Sequence, residues 1–214
     1  MSRTTHEINE LPSRLTRCAL GLALALALGA CQRRAADAPS SPSSPTSQVA
    51  NGKADRLPDV TLVDQNGHSL SLSSLKGKPV LVDFIYTSCG PCLTLTSKLA
   101  LVARLLPGEL GTKVMLISIT LDPEHDHPAQ LLDYAQSHDA SRNGWLFLTG
   151  SPAQIEQVLA AYGLHRKREA DGSVTHVESV FLLGPDGHQK QTYNGLEAKP
   201  TAVAGDILNM LDQG

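Results

Sequence analysis

Aromatic residues are scarce in this 214-residue chain, at 4%, and basic residues do not outnumber acidic ones: 18 Lys+Arg stand against 21 Asp+Glu, a formal charge of -3. Without a basic surface or a supply of stacking side chains there is little to hold a phosphate backbone, so no nucleic-acid partner is expected. Cysteine is also sparse. Four are too few for a disulfide-built scaffold, and they lack the paired spacing of a zinc site. The longest apolar run, Cys18 to Ala30, has 13 residues, short of the roughly 20 that a membrane-crossing helix needs. No internal repeat points to a solenoid. What remains, 41% hydrophobic residues with 17 Gly and 13 Pro, is the composition of an ordinary folded chain.

The short apolar run follows Arg3, Arg14 and Arg17 and ends in small residues, the layout of a secretory signal. Its Leu-Ala repetition has no polar face, which excludes a buried amphipathic helix. Leu28-Gly29-Ala30-Cys31 resembles the lipobox of bacterial lipoproteins, which implies cleavage before Cys31 and acylation of its thiol. Buried acyl chains contribute about 0.8 kcal/mol per CH₂, so two or more hold a protein on a membrane without a span. Residues 1–30 are thus expected to be a lipoprotein signal. Residues 31–55, rich in Ser, Pro and Ala with no apolar period, are expected to be a lipidated cysteine and disordered tether. The resulting location is extracytoplasmic, on the periplasmic face of a membrane. With Cys18 lost and Cys31 acylated, Cys89 and Cys92 remain as a pair.

Residues 56–214 are large enough for one domain with a real core. Apolar alternation around Asn66-Gly67 predicts a hairpin. Val80 to Tyr86 and Val114 to Ile119 read as buried strands, and Leu95, Leu99, Val102 and Leu106 recur at helical spacing between them. Pro128 opens a second helix, Trp145 to Leu148 is a short strand, and Ser151-Pro152-Ala153-Gln154 is a capping-box start for a third helix. Ser179 to Leu183 and Gln189 to Tyr193 flank a Gly-Pro-Asp-Gly turn, and a last helix runs from Pro200 towards Leu211. This alternation predicts an α/β, thioredoxin-like fold: a mostly parallel central sheet flanked by helices, with an added N-terminal hairpin and a short βα insertion. The charged run Arg166, Lys167, Arg168 with Glu169 and Asp171 reads as a solvated loop. His125 and His127 read as polar residues at a helix entry.

Cys89-Gly90-Pro91-Cys92 falls where the first core strand ends and the first long helix begins. Free helix N–H groups and the macrodipole stabilise a thiolate there, lowering a cysteine pKa from about 8.5 into a range of roughly 3.5 to 7.5. Cys89 is therefore the expected reactive thiol. Cys92, three residues on, can close a disulfide with it or share a soft metal ion.

LVDFIYTSCGPC is similar to the active-site strand of thioredoxin, including an acid, Asp83, six residues before the first cysteine. That likeness implies a buried carboxyl that assists deprotonation of Cys92, with desolvation raising its own pKa. The wider frame resembles the Sco/SenC family of copper chaperones. FIYTSC, LISITLDPEHDHP, WLFLTGSP and THVESVFLLGPDG occur in the family order across nearly all of residues 56–195. The family's copper ligands are two cysteines and a histidine eight residues before the Gly of a G-P-D-G turn; His176 stands eight before Gly184. The family spaces its cysteines Cys-x-x-x-Cys, whereas two residues intervene here. Ser179 stands where thioredoxins carry a cis-Pro facing the disulfide, which leaves that face open to a ligand such as His176.

The resemblance implies a membrane-anchored protein that holds one copper, as Cu(I), Cu(II) or both, on Cys89, Cys92 and His176. It further implies partners in a thiol–disulfide redox protein and in the copper-bearing subunit of cytochrome oxidase or its assembly factors. The alternative is a tethered thiol–disulfide oxidoreductase without copper, in which Cys89 is nucleophile, Cys92 resolving thiol and Asp83 base. A thiol peroxidase is disfavoured, because Thr87 is one position off the peroxiredoxin spacing. For the lipobox, Cys31→Ser is expected to abolish fatty-acid labelling and block processing in cells fed radiolabelled palmitate; unchanged labelling refutes it.

Overall fold

The computed structural model describes residues 56–213; the signal segment, Cys31 and the tether expected above lie outside the described residues. The chain opens with a hairpin, β1 (Thr61–Asp64) and β2 (Ser69–Ser71), turning through Gly67. There follow β3 (Val80–Ile85), α1 (Gly90–Arg104), β4 (Met115–Thr120), α2 (Pro128–Ser137), β5 (Trp145–Thr149) and α3 (Pro152–Ala161). A small hairpin of β6 (Lys167–Arg168) and β7 (Val174–Thr175) precedes β8 (Ser179–Leu183), β9 (Gln189–Asn194) and α4 (Pro200–Asp212).

Seven strands form one sheet in the order β2-β1-β5-β4-β3-β8-β9. Its parallel character is confined to the three central strands β5, β4 and β3, and every outer pairing is antiparallel. The difference from a mostly parallel sheet has a simple cause: hairpins supply both edges, and only the βαβ crossovers through α1 and α2 return the chain in the same direction. The βα segment expected as an insertion, β5 with α3, joins β4 to β1 within the sheet.

Residues of β3 and β8 are buried at every position, as befits strands covered on both faces. The core between sheet and helices is built around Phe84, Trp145, Phe147 and Tyr162, all fully buried. Phe84 meets Tyr162 and Phe181 edge-on, with centroids 5.4 and 6.2 Å apart. The capping box at Ser151 is formed in both directions with Gln154, and α1 packs against α4. Gly144, at φ +85°, passes so close to Gly111 that a Cβ there would sit 2.1 Å from the Gly111 nitrogen. Only glycine allows that approach, which sets the start of β5 against the end of the α1–β4 connection.

The charged run expected as a solvated loop is solvated at Lys167 and Arg168, which are exposed, but it is not a loop. Lys167 and Arg168 are a strand paired with Val174 and Thr175, and the Arg166 side chain is only 11% exposed because it is enclosed by acidic partners.

Candidate metal centre

Strand β3 runs out at Ile85, and the chain turns through Tyr86-Thr87-Ser88, closed by a bond from the Cys89 N–H to the Tyr86 carbonyl at 3.0 Å. Cys89 is the N-cap of α1. It is extended at φ -84°, ψ 113°, and its sulfur accepts the Cys92 backbone N–H at 3.0 Å. Pro91 in the first turn is preset for the helix and has no N–H to leave unpaired. The helix start therefore aims a free donor and its positive end at Cys89, the arrangement that stabilises a thiolate. A disulfide joins Cys89 and Cys92, and both residues are buried.

His176 arrives from the other direction. Strand β8 runs antiparallel to β3, with Val82 opposite Phe181 and Val80 opposite Leu183, so the segment just before β8 lies beside the end of β3 where the cysteine turn begins. There the imidazole meets the Tyr86 ring edge-on, centroids 5.8 Å apart. Its Nδ1 lies 3.1 Å from the Val174 carbonyl, which can only accept, so Nδ1 carries the proton. Nε2 is left with its lone pair free, buried, and without a hydrogen-bond partner.

A buried acceptor with no donor is costly unless something else occupies its lone pair. The two sulfurs and a ring nitrogen of His176 lie within 4.8 Å of one another, the one such cluster of His, Cys, Asp or Glu among the described residues. Two thiolates and a neutral imidazole are soft and borderline donors of the kind that select Cu(I). The residues present thus fit copper, with Nε2 as the nitrogen ligand and the Val174 carbonyl fixing the tautomer.

Asp83 does not join that cluster. It sits in the middle of β3, 2% exposed, with Ser118 on β4 as its register partner. The Ser118 hydroxyl donates to Asp83 Oδ1 at 2.5 Å and accepts the Trp145 indole N–H at 2.9 Å; Oδ2 has no partner. Burial pushes the Asp83 carboxyl up to about 7, with the Ser118 bond pulling the other way. A carboxyl that holds a proton near neutrality can take one from a thiol or return it.

Sequence reading missed two supports of the site. Tyr86, whose ring seats His176, lies within FIYTSC, but a tyrosine there has no chemistry of its own to mark it. Asp126 is 1% exposed and accepts from the Thr87 N–H at 3.1 Å, from Thr87 Oγ1 at 2.5 Å and from Thr120 Oγ1 at 2.6 Å. Its signal was the alternation of acids at Asp122, Glu124 and Asp126. Of the two nearby histidines, His127 is the N-cap of α2 and His125 bonds Asp122 at 2.8 Å.

A model of the family described as SCO1/SenC matches residues 48–212. The chain is 38% identical over 144 residues to the "SCO1 protein homolog" of Bacillus subtilis, covering 65% of this chain and 74% of that protein. Two further relatives are covered over 65% and 50% of their length. Among solved structures, Bradyrhizobium japonicum ScoI with copper bound is 32% identical at a TM-score of 0.64, covering 72% of this chain and 99% of that one. BsSco, described as having a disulfide switch and as a member of the Sco family of cytochrome c oxidase assembly proteins, is 33% identical at a TM-score of 0.66, covering 78% and 99%.

The Asp83 carboxyl generates a pH prediction. Between pH 4 and about 7 the unfolded carboxyl has lost its proton while the folded one retains it, so the folded state binds more protons and stability falls as pH rises through that window. Asp83→Asn keeps the oxygen to which Ser118 donates and removes the titration. Urea unfolding from pH 4 to 8 is expected to show a decline in wild type, of up to about 4 kcal/mol, that the variant lacks. Parallel profiles would exclude a raised Asp83 pKa.

Proposed function

The chain belongs to the SCO1/SenC family, and from that premise we propose that it is a copper-binding assembly protein in which Cys89, Cys92 and His176 hold one Cu(I) for delivery to the copper site of a cytochrome oxidase. The observation that carries this reading is the buried, partnerless Nε2 of His176, on a ring that brings a nitrogen within 4.8 Å of both sulfurs. Its relatives support it: a copper-bound ScoI at 32% identity and a Sco protein described in terms of oxidase assembly at 33%.

The chemistry runs in two stages. A dithiol partner reduces the Cys89–Cys92 disulfide, supplying two electrons and two protons and becoming a disulfide itself. Cys89, with the Cys92 N–H and the helix start at its sulfur, deprotonates readily. Asp83, poised near neutrality, serves as the local acid–base group when the thiols load and release protons. Loading Cu(I) places both thiolates and Nε2 on the ion and releases the thiol protons. Transfer then proceeds by exchange of these ligands for those of the acceptor subunit.

The two-residue cysteine spacing and the closed disulfide favour a second activity of the same pair, thiol–disulfide exchange with a redox partner. It uses Cys89 as nucleophile and needs no copper. For location, acylation at Cys31 supplies the attachment, which holds the domain at the periplasmic face of a membrane. No helix among the described residues is long and apolar enough to cross a membrane.

His176→Ala separates the two activities. In competition titrations of the reduced protein against a Cu(I) chelator, its affinity is expected to fall by more than the roughly 10- to 100-fold typical of losing an outer-shell partner. The midpoint of a Cys89–Cys92 redox titration should stay near the wild-type value. A wild type that binds copper no more tightly than a Cys89→Ser, Cys92→Ser double variant leaves only the thiol–disulfide activity.

A further inference from the structure

Three acids alternate along the loop between β4 and α2, and they grip different parts of the molecule. Asp126 points inward and holds Thr87, two residues before Cys89, through both its backbone N–H and its hydroxyl. Asp122 and Glu124 hold the β6–β7 hairpin instead. Glu124 takes both terminal nitrogens of Arg166, at 2.8 and 2.9 Å. Asp122 takes both terminal nitrogens of Arg168, one of them at 3.3 Å. The loop itself is registered on the site strand, since the Leu121 N–H donates to the Ile85 carbonyl at 2.7 Å.

The hairpin held in this way has only two residue pairs, and a two-stranded ribbon has little stability of its own. Its second strand ends at Thr175, and the next residue is His176. Arg166 is more than a surface ion pair: it also donates to the Leu121 carbonyl at 2.7 Å and to Glu156 of α3 at 2.8 Å. Arg168 adds a bond to the Gly172 carbonyl at 3.1 Å, tying the hairpin's own turn. Bidentate guanidinium–carboxylate pairs in a network fix orientation in a way that single exposed pairs do not.

We propose that the Leu121–His127 loop is a bracket joining the two halves of the copper site, and that Arg166 and Arg168 are positioning residues that hold His176 against Cys89 and Cys92 through Glu124 and Asp122. The proposal rests on the copper reading above for its consequence and on the ion pairs for its geometry. Closed, the bracket presents Nε2 to the sulfurs. With the ion pairs broken, the hairpin loses its attachment to the loop and His176 is free to leave, taking the site from three ligands to two. A device of this kind lets the thiols keep their chemistry while the third ligand comes and goes.

The test uses the Arg166→Gln, Arg168→Gln double variant with two readouts. Cu(I) competition is expected to show a roughly 10- to 100-fold loss of affinity, and the same substitutions added to His176→Ala should cause no further loss. In metal-free protein, amide hydrogen exchange at residues 167–177 should accelerate, and the Cys89–Cys92 redox midpoint should not move. Arg168→Lys alone should retain part of the affinity that Arg168→Gln loses. Unchanged affinity overturns the proposal, and so does an equal loss in the His176→Ala background, which would mark a general effect on folding. Should the double variant fail to fold, Glu124→Gln at an exposed position carries the same two readouts. If wild type binds no copper above the double-serine control, the copper reading fails on its own, and exchange at 167–177 decides the bracket: rates equal to wild type refute it.

Discussion

The antiparallel pairing of β8 with β3 is the constraint on which the site depends. Alternation of direction brings the start of β8 to the end of β3, the same end at which α1 begins. A histidine just before β8 and a cysteine just after β3 are thereby neighbours, although Cys89 and His176 stand 87 positions apart in the sequence. Parallel pairing would have put the beginning of that strand at the far end of the sheet. Both strands are buried at every position, so their register is held by close packing on both faces of the sheet.

Around this pairing each group has a separate physical job. The first turn of α1 lowers the energy of a thiolate at Cys89, the Val174 carbonyl fixes the tautomer of His176, and the Tyr86 ring seats the imidazole. Asp83 stands one step back, desolvated in the middle of the sheet and tied to Ser118. It lies outside the cluster of two sulfurs and an imidazole, so its titration can be removed without removing a ligand.

Much of this was legible in the residues themselves. The apolar run into Cys89, the helical spacing after it and the capping box at Ser151 are local patterns, and local patterns survive folding unchanged. His176 could be singled out only through family resemblance and its distance from the Gly184 turn, because a lone histidine in a polar segment carries no local signal. The hairpin at Lys167–Arg168 was hidden for a different reason. Two exposed, charged residues carry no apolar alternation to mark a strand, and what holds them, pairs such as Arg168 with Asp122, joins residues 46 apart. Both edge hairpins were readable from their turns, but which strands they pair with, and so how little of the sheet is parallel, depends on contacts far apart in the sequence.

The central claim is that a nitrogen from His176 completes a site begun by two sulfurs. Copper K-edge X-ray absorption on the reduced, Cu(I)-loaded protein measures that donor set directly. The account predicts two Cu–S contacts and one imidazole nitrogen in wild type, with the imidazole scattering gone in His176→Ala. A wild-type spectrum of sulfur donors alone, or an imidazole signal that survives the substitution, would contradict it.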